Sequence, residues 1–167
     1  RESNPILGAV GNEKTVRKKN ASRFGKYVTM RLSEKHEITG AQVQTLLLGK
    51  SRVVWTTATG ERNYHLFYYV LKGSGILDSD EPMDYRLLNR SSCVAIPRVD
   101  DAEEHQGVVQ ALIDIGMQAE EILEVQAQIC ALLCLGSIEF GDEDASQALQ
   151  PYRRPLFAHL SAPLLFY

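Results

Sequence analysis

Apolar positions follow two different rhythms along this 167-residue chain. In the first third they fall in short runs with a period near two, the spacing of one face of a strand. From about residue 61 they recur every three or four residues, the spacing of one face of a helix. Residues 4–12, with Pro5 early and Gly8 and Gly11 weakening continuation, predict a short helix or a turn. Residues 13–26 are polar and read as loop. Tyr27-Val28-Thr29-Met30-Arg31-Leu32 predicts a strand, and Ser33 to Gly40 a polar connection. Ala41 to Leu48 starts with alternation and ends apolar, which suits either a strand or a short helix. Arg52-Val53-Val54-Trp55-Thr56, rich in β-branched and aromatic residues, predicts a further strand.

Three helices are expected after that. The first spans Glu61 to Lys72, with Tyr64, Phe67, Tyr68 and Leu71 at helical spacing and Gly73 as a stop. The second begins near Asp100 and Asp101, which offer a cap and negative charge at a helix N-terminus. It carries Val108, Val109, Leu112, Ile113 and Ile115 on its apolar side and ends at Gly116. The third runs from about Gln118 to Leu135, with Ile122, Val125, Ile129, Leu132 and Leu133 inward. Ser137 to Phe140 then reads as a short strand and Gly141 to Ser146 as an acidic loop. From Gln147 the pattern is lost: Pro151, Pro155 and Pro163 break any long element, and no period survives to Tyr167. No internal repeat is present.

Composition narrows the class. Length favours one domain that buries about two-thirds of its unfolded surface. The hydrophobic share of 44% and charged share of 23% are those of a globular chain. A net charge of −3 argues against wholesale binding to nucleic acid or a membrane surface, although Lys14, Arg17, Lys18, Lys19, Arg23 and Lys26 concentrate positive charge early. Three cysteines cannot build a disulfide framework. Cys130 and Cys134 lie one helical turn apart without a histidine nearby, so buried reduced thiols are expected rather than zinc ligands. No run approaches the roughly 20 apolar residues of a membrane span, and no signal peptide opens the chain, so a cytosolic address is the default. The Asn20 and Asn89 sequons are then chance matches. Opening on Arg1, the sequence reads as a piece of something longer.

The chemistry is concentrated in Asn20-Ala21-Ser22-Arg23-Phe24-Gly25-Lys26. Arginine makes forked hydrogen bonds to phosphate or carboxylate, a serine hydroxyl can ligate Mg²⁺, and glycine lets backbone approach closely. On composition alone the same loop reads first as a basic surface loop, and second as an RNA-contacting patch in which basic residues near Phe24 and Tyr27 contact phosphate and stack bases. Gly49-Lys50-Ser51 supplies the end of a GxxxxGK[ST] phosphate loop, but Gln44 occupies the first glycine position and the run between is apolar, so it is a decoy. Tyr64, Phe67 and Tyr68 are read as core aromatics rather than a ligand box. His36, His65, His105 and His159 are scattered and receive no chemistry.

Asn4-Pro5-Ile6-Leu7, Gly11-Asn12, Lys14-Thr15, Arg17 and the 20–26 loop, in that order, resemble the myosin motor domain around switch I. Gly40-Ala41 and Lys50-Ser51-Arg52-Val53-Val54 resemble its transducer strands, and Glu61 to Tyr68 the helix that follows them. Asp101-Ala102-Glu103-Glu104 and Leu133 to Phe140 also fall in the family's order. The resemblance covers roughly residues 3–141. It implies an α/β fold: a partial P-loop NTPase-type motor core, transducer strands with packed helices of the upper subdomain around an incomplete sheet. Residues 1–146 would be a partial motor domain with switch I at 18–26, and 147–167 a divergent tail.

The resemblance also implies roles. Ser22 would ligate the Mg²⁺ of bound ATP and Arg23 would pair with a switch II glutamate, so these two are the expected catalytic residues. Asn20, Ala21, Ser22 and Lys18 would line the nucleotide. Two positions depart from the family's usual pattern, Lys18 where asparagine is usual and Ala21 where serine is usual. A lost preorganised donor at position 21 can cost on the order of 10²–10³ in rate, so altered ATPase activity in the parent protein is expected. The phosphate-binding loop and switch II are not found in the sequence, so the isolated segment is not expected to hydrolyse ATP. Actin filaments, through other parts of the motor, and light chains, through a neck, are the implied partners. The implied location is the cytoplasm and its cytoskeleton. The alternatives are a truncated or mis-spliced, non-enzymatic motor product and, after it, a small basic-loop module that binds polyanions.

Overall fold

The computed structural model describes residues 4–50 and 58–138. Helix α1 (Asn4–Gly11) runs directly into strand β1 (Asn12–Lys14). Strands β2 (Ala21–Ser22), β3 (Gly25–Leu32), β4 (Ile38–Leu46) and β5 (Arg62–Tyr64) follow. Helix α2 (His65–Gly73), a 3-10 turn at Pro82–Asp84, helix α3 (Asp101–Asp114) and helix α4 (Ala119–Leu135) complete the described elements. The fold is mixed α/β, with two small antiparallel sheets ordered β2-β1-β5 and β3-β4.

Residues 41–46 resolve as strand, paired in register from Gly25↔Leu46 to Arg31↔Gly40. The connection expected over 33–40 is shorter, because Ser33 closes it locally. Its Oγ accepts from the Lys35 and Glu37 N–H groups, both at 3.2 Å, and His36 takes a positive φ of 61°. The loop expected over 13–26 also contains short strands. Glu13 lies opposite Ala21 on one side and Tyr64 on the other, so β1 is a central strand.

The first predicted helix begins four residues later than its periodicity indicates. Arg62, Asn63 and Tyr64 are extended and all buried against β1, and the helix proper starts at His65. A buried arginine here is tolerable because it is compensated: the Arg62 Nη2 pairs with Asp101, Nη1 donates to Val94 O at 3.4 Å, and Cζ lies 3.7 Å above the Tyr68 ring. Tertiary pairing overrides the local helical pattern.

Tyr64, Phe67 and Tyr68 are core residues, as read. With Val70, Leu71, Tyr85 and Leu88 they pack on Ile129, Cys130 and Leu133 of α4. A smaller cluster of Ala9, Tyr69 and Val108 joins α1, α2 and α3. Gly73 ends α2 as expected, and its missing side chain leaves room for the His105 ring of α3. Asp100 caps α3, its carboxylate accepting from Ala102 N at 2.9 Å and Glu103 N at 3.3 Å. In α3 and α4 the inward faces differ in detail from the expected ones. Ile113 and Ile115 are half exposed, and Val125 and Leu132 face outward. In α4 the buried stripe is Ile122, Gln126, Ile129, Cys130 and Leu133. Gln126 is admitted because its amide meets His105 Nε2 at 3.0 Å.

All three cysteines are free. Cys130 is buried as expected, and burial pushes its thiol up to about 11, while Cys93 and Cys134 are only partly buried. The strand expected at 52–56, half of that at 137–140, the acidic loop at 141–146 and the 147–167 tail lie outside the described residues; Ser137 lies in a turn.

Candidate functional site

The basic loop is hung between two fixed ends. At its start, Thr15 N donates to Lys18 O at 2.9 Å and Lys18 N to Thr15 Oγ1 at 3.1 Å, a tight polar turn. The chain then returns along β1, with Glu13↔Ala21 and Asn12↔Ser22 paired. Past β2, Arg23 N donates to Gly11 O at 2.8 Å and Gly49 N donates to Arg23 O at 2.9 Å. The Phe24 ring sits where a side chain on Gly11 would be, which seats the loop on the end of α1.

Within this frame Asn20, Ala21, Ser22 and Arg23 come together on one stretch. Ser22 is exposed; its hydroxyl donates to Phe24 O at 3.0 Å and its oxygen accepts from Phe24 N at 3.5 Å. Arg23 is half exposed, and its Nε and Nη2 both donate to Oε1 of Glu13, whose side chain is fully buried. Ala21 lies on β2 across from that glutamate. Lys18 lies at the turn, exposed, four residues before Ser22. Lys19 reaches the other way, to Pro97 O at 3.3 Å.

Two residues of this site escaped the sequence reading. Glu13 is one. The other is His65, to which no chemistry was assigned. It is buried at the start of α2, and its Nε2 meets Asn20 Oδ1 at 3.3 Å. Burial first, and the nearby Arg62 charge second, hold its pKa down at about 4, so the ring is neutral and its Nε2–H donates to the amide oxygen. Tyr69 stacks on it at 5.9 Å between centroids and 15° between planes. The available signal was the four-residue spacing from His65 to Tyr69 on one helix face, which is weak by itself. Behind the loop, a cavity of about 290 Å³ is lined by Asn4, Pro5, Lys19, Asn20, His65 and Tyr69 among others.

Ser22 Oγ is a hard oxygen on an exposed residue, of the kind Mg²⁺ accepts. Among the described residues no cluster of three His, Cys, Asp or Glu side chains offers a complete metal site. The single hydroxyl would therefore fit as one ligand of a Mg²⁺ whose other ligands come from outside these residues. Among the described residues no helix is long and apolar enough to cross a membrane.

An exposed serine and a carboxylate-held arginine thus stand side by side on the segment between α1 and the β3–β4 pair. Residues 1–162 match the myosin head (motor domain) family, and the chain belongs to that family. It is 41% identical over 155 residues to Myosin-1 of Arabidopsis thaliana, covering 90% of this chain and 13% of that protein. To Myosin-1 of Emericella nidulans it is 39% identical over 151 residues, covering 87% of this chain and 12% of the relative. The chain thus spans about an eighth of the length of these relatives.

Proposed function

We propose that this chain forms the switch I side of the MgATP site and part of the transducer in an actin-based, ATP-driven myosin motor, a partial P-loop NTPase-type core. In this reading Ser22 supplies its Oγ to Mg²⁺, Asn20 and the backbone around Ala21 line the phosphates, and Lys18 adds a positive charge at the rim. Arg23 pairs with a carboxylate of switch II when the site closes. Ser22 would help hold a Mg²⁺ that would supply charge neutralisation to the transferred phosphoryl group; the chain's own contribution is to hold donors at fixed positions. The β3–β4 pair is then transducer. Actin filaments, light chains and a cytoplasmic, cytoskeletal location follow for the whole motor. Residues 1–146 are its motor part and 147–167 a divergent tail.

One observation carries the reading: Ser22 and Arg23 stand side by side on a loop pinned at both ends, the serine exposed and the arginine partly so. The test is to exchange residues 1–146 into the matching region of Arabidopsis Myosin-1 and measure actin-activated, Mg²⁺-dependent ATP turnover. Ser22→Ala and Arg23→Ala should each lower it on the order of 10²–10³. Unchanged turnover in both variants would overturn the assignment. Ala21→Ser in the same chimera should raise turnover, since it restores a donor beside the phosphates. The purified 167-residue chain should show no ATPase.

A further inference from the structure

We propose that Glu13 is a positioning residue for Arg23, holding one edge of the guanidinium so that the gate closes as a carboxylate–guanidinium–carboxylate bridge rather than as a simple pair. The proposal rests on the reading of Arg23 as the gate and adds a resident counter-ion to it.

The strand pairing dictates the contact. Glu13 is opposite Ala21, and Arg23 is hydrogen-bonded to Gly11, so Glu13 and Arg23 are diagonal neighbours on the same face of the β1–β2 ladder. The short side chain of Ala21 leaves the face between them open to two long ones. Glu13 stands on the central strand with its side chain fully buried, where a carboxylate persists only if it is paired. Arg23 answers with Nε and Nη2 on one oxygen. A guanidinium has five donors in a rigid plane, so this engages one edge and leaves the Nη1 side, on a side chain 39% exposed, directed away from Glu13.

Two consequences follow for closure. The arginine is oriented before any partner arrives, so a second carboxylate meets donors already fixed in place. Glu13 also compensates part of the Arg23 charge, so that second carboxylate meets a guanidinium that is no longer a bare cation. The closed state is accordingly weaker and shorter-lived than a bare arginine would make it. Glu13 sets how readily the gate reopens.

The first measurement needs no variant. In the full chain, the Arg23 Nε–H should give a resolved side-chain NMR resonance with solvent exchange slowed about tenfold or more relative to free arginine, as expected for a charge-assisted hydrogen bond. Exchange at the free rate would overturn the proposal, whatever Arg23 does in a motor. Glu13→Gln should abolish that protection, and Glu13→Asp should restore part of it. In the chimeric motor, Glu13→Gln should slow phosphate release about tenfold with the KM for ATP little changed. A merely structural role would instead lower activity without prolonging the closed state. If Arg23→Ala stops hydrolysis while Glu13→Gln leaves phosphate release unaltered, the proposal fails and the gate reading stands. If Arg23→Ala leaves hydrolysis intact, the gate reading fails and takes the proposal with it.

Discussion

In helix α2 six of nine residues are buried, His65, Phe67, Tyr68, Tyr69, Val70 and Leu71. In strand β3 all eight are exposed, and in β4 only Gly40 is partly covered. Yet both regions are apolar in sequence. On the hairpin, Val28 faces Val43 across the ladder, Met30 faces Ala41 and Leu32 faces Ile38. Those pairs stabilise one another but leave Met30 60% and Ile38 66% exposed. The helical body carries its own core, whereas the hairpin rests on one backbone ladder and its cross-strand pairs. A two-stranded sheet of that kind is marginal alone. Stability should therefore reside in the body, and side-chain changes on the hairpin should pass nearly unnoticed.

The sharpest way to break this contrast is Leu133→Ala, a fully buried residue of α4 packed in the main core. It should cost about 2–5 kcal/mol in urea denaturation. A cost below about 1 kcal/mol would mean that the body is not the stable unit. Acid should act on the body next. His65 has a folded pKa of about 4 against an ordinary 6.5, so the unfolded chain binds more protons between those values. The associated stability is complete above pH 6.5 and is lost as pH falls towards 4, on the order of 3 kcal/mol in all. Denaturation midpoints measured across that window should fall, and the slope should flatten in His65→Gln. The switch-like loop lies between the two regions in effect. Gly11→Ala forces a methyl group into the Phe24 ring and should cost about 1–3 kcal/mol by the same assay, with new mobility at Ser22. Smallest of all should be Met30→Ser on the hairpin, within about 0.5 kcal/mol of the unmodified chain. A larger loss there would show that the hairpin is covered in solution.

The same contrast explains what could be read in advance. Strand β3, the Asp100 cap and the extent of α4 follow from local pattern, and they stand where that pattern puts them. Strand β5 does not, because Arg62-Asn63-Tyr64 is extended only through pairing with β1 and a counter-charge on Asp101, 39 residues away. Val125 and Gln126 exchange places in α4 for a similar reason: the helix period admits either, and only His105 on a neighbouring helix selects the glutamine. At the site, the Ser22–Arg23 stretch was legible as a composition and then as an ordered set of motifs. Its supports were not. Glu13 reaches Arg23 across ten residues and His65 reaches Asn20 across 45, distances bridged by strand pairing that no local rule encodes.

Strand β5 also governs the long irregular stretch between α2 and α3. That stretch has no strand of its own, and besides its internal turns it is tied to residues 61–63. Asn63 Nδ2 donates to Leu87 O at 3.1 Å, Arg62 Nη1 donates to Val94 O, and Ser91 Oγ donates to Glu61 O. Release of β5 would strip the Leu87 and Val94 carbonyls of these partners and pull Glu61 O away from Ser91, at a cost no single loop residue could offset. Residues 85–94 and β5 should then open as one cooperative unit, with amides that exchange hydrogen at a common free energy under native conditions. Separate exchange behaviour in the two segments would show that the loop holds its shape without the strand.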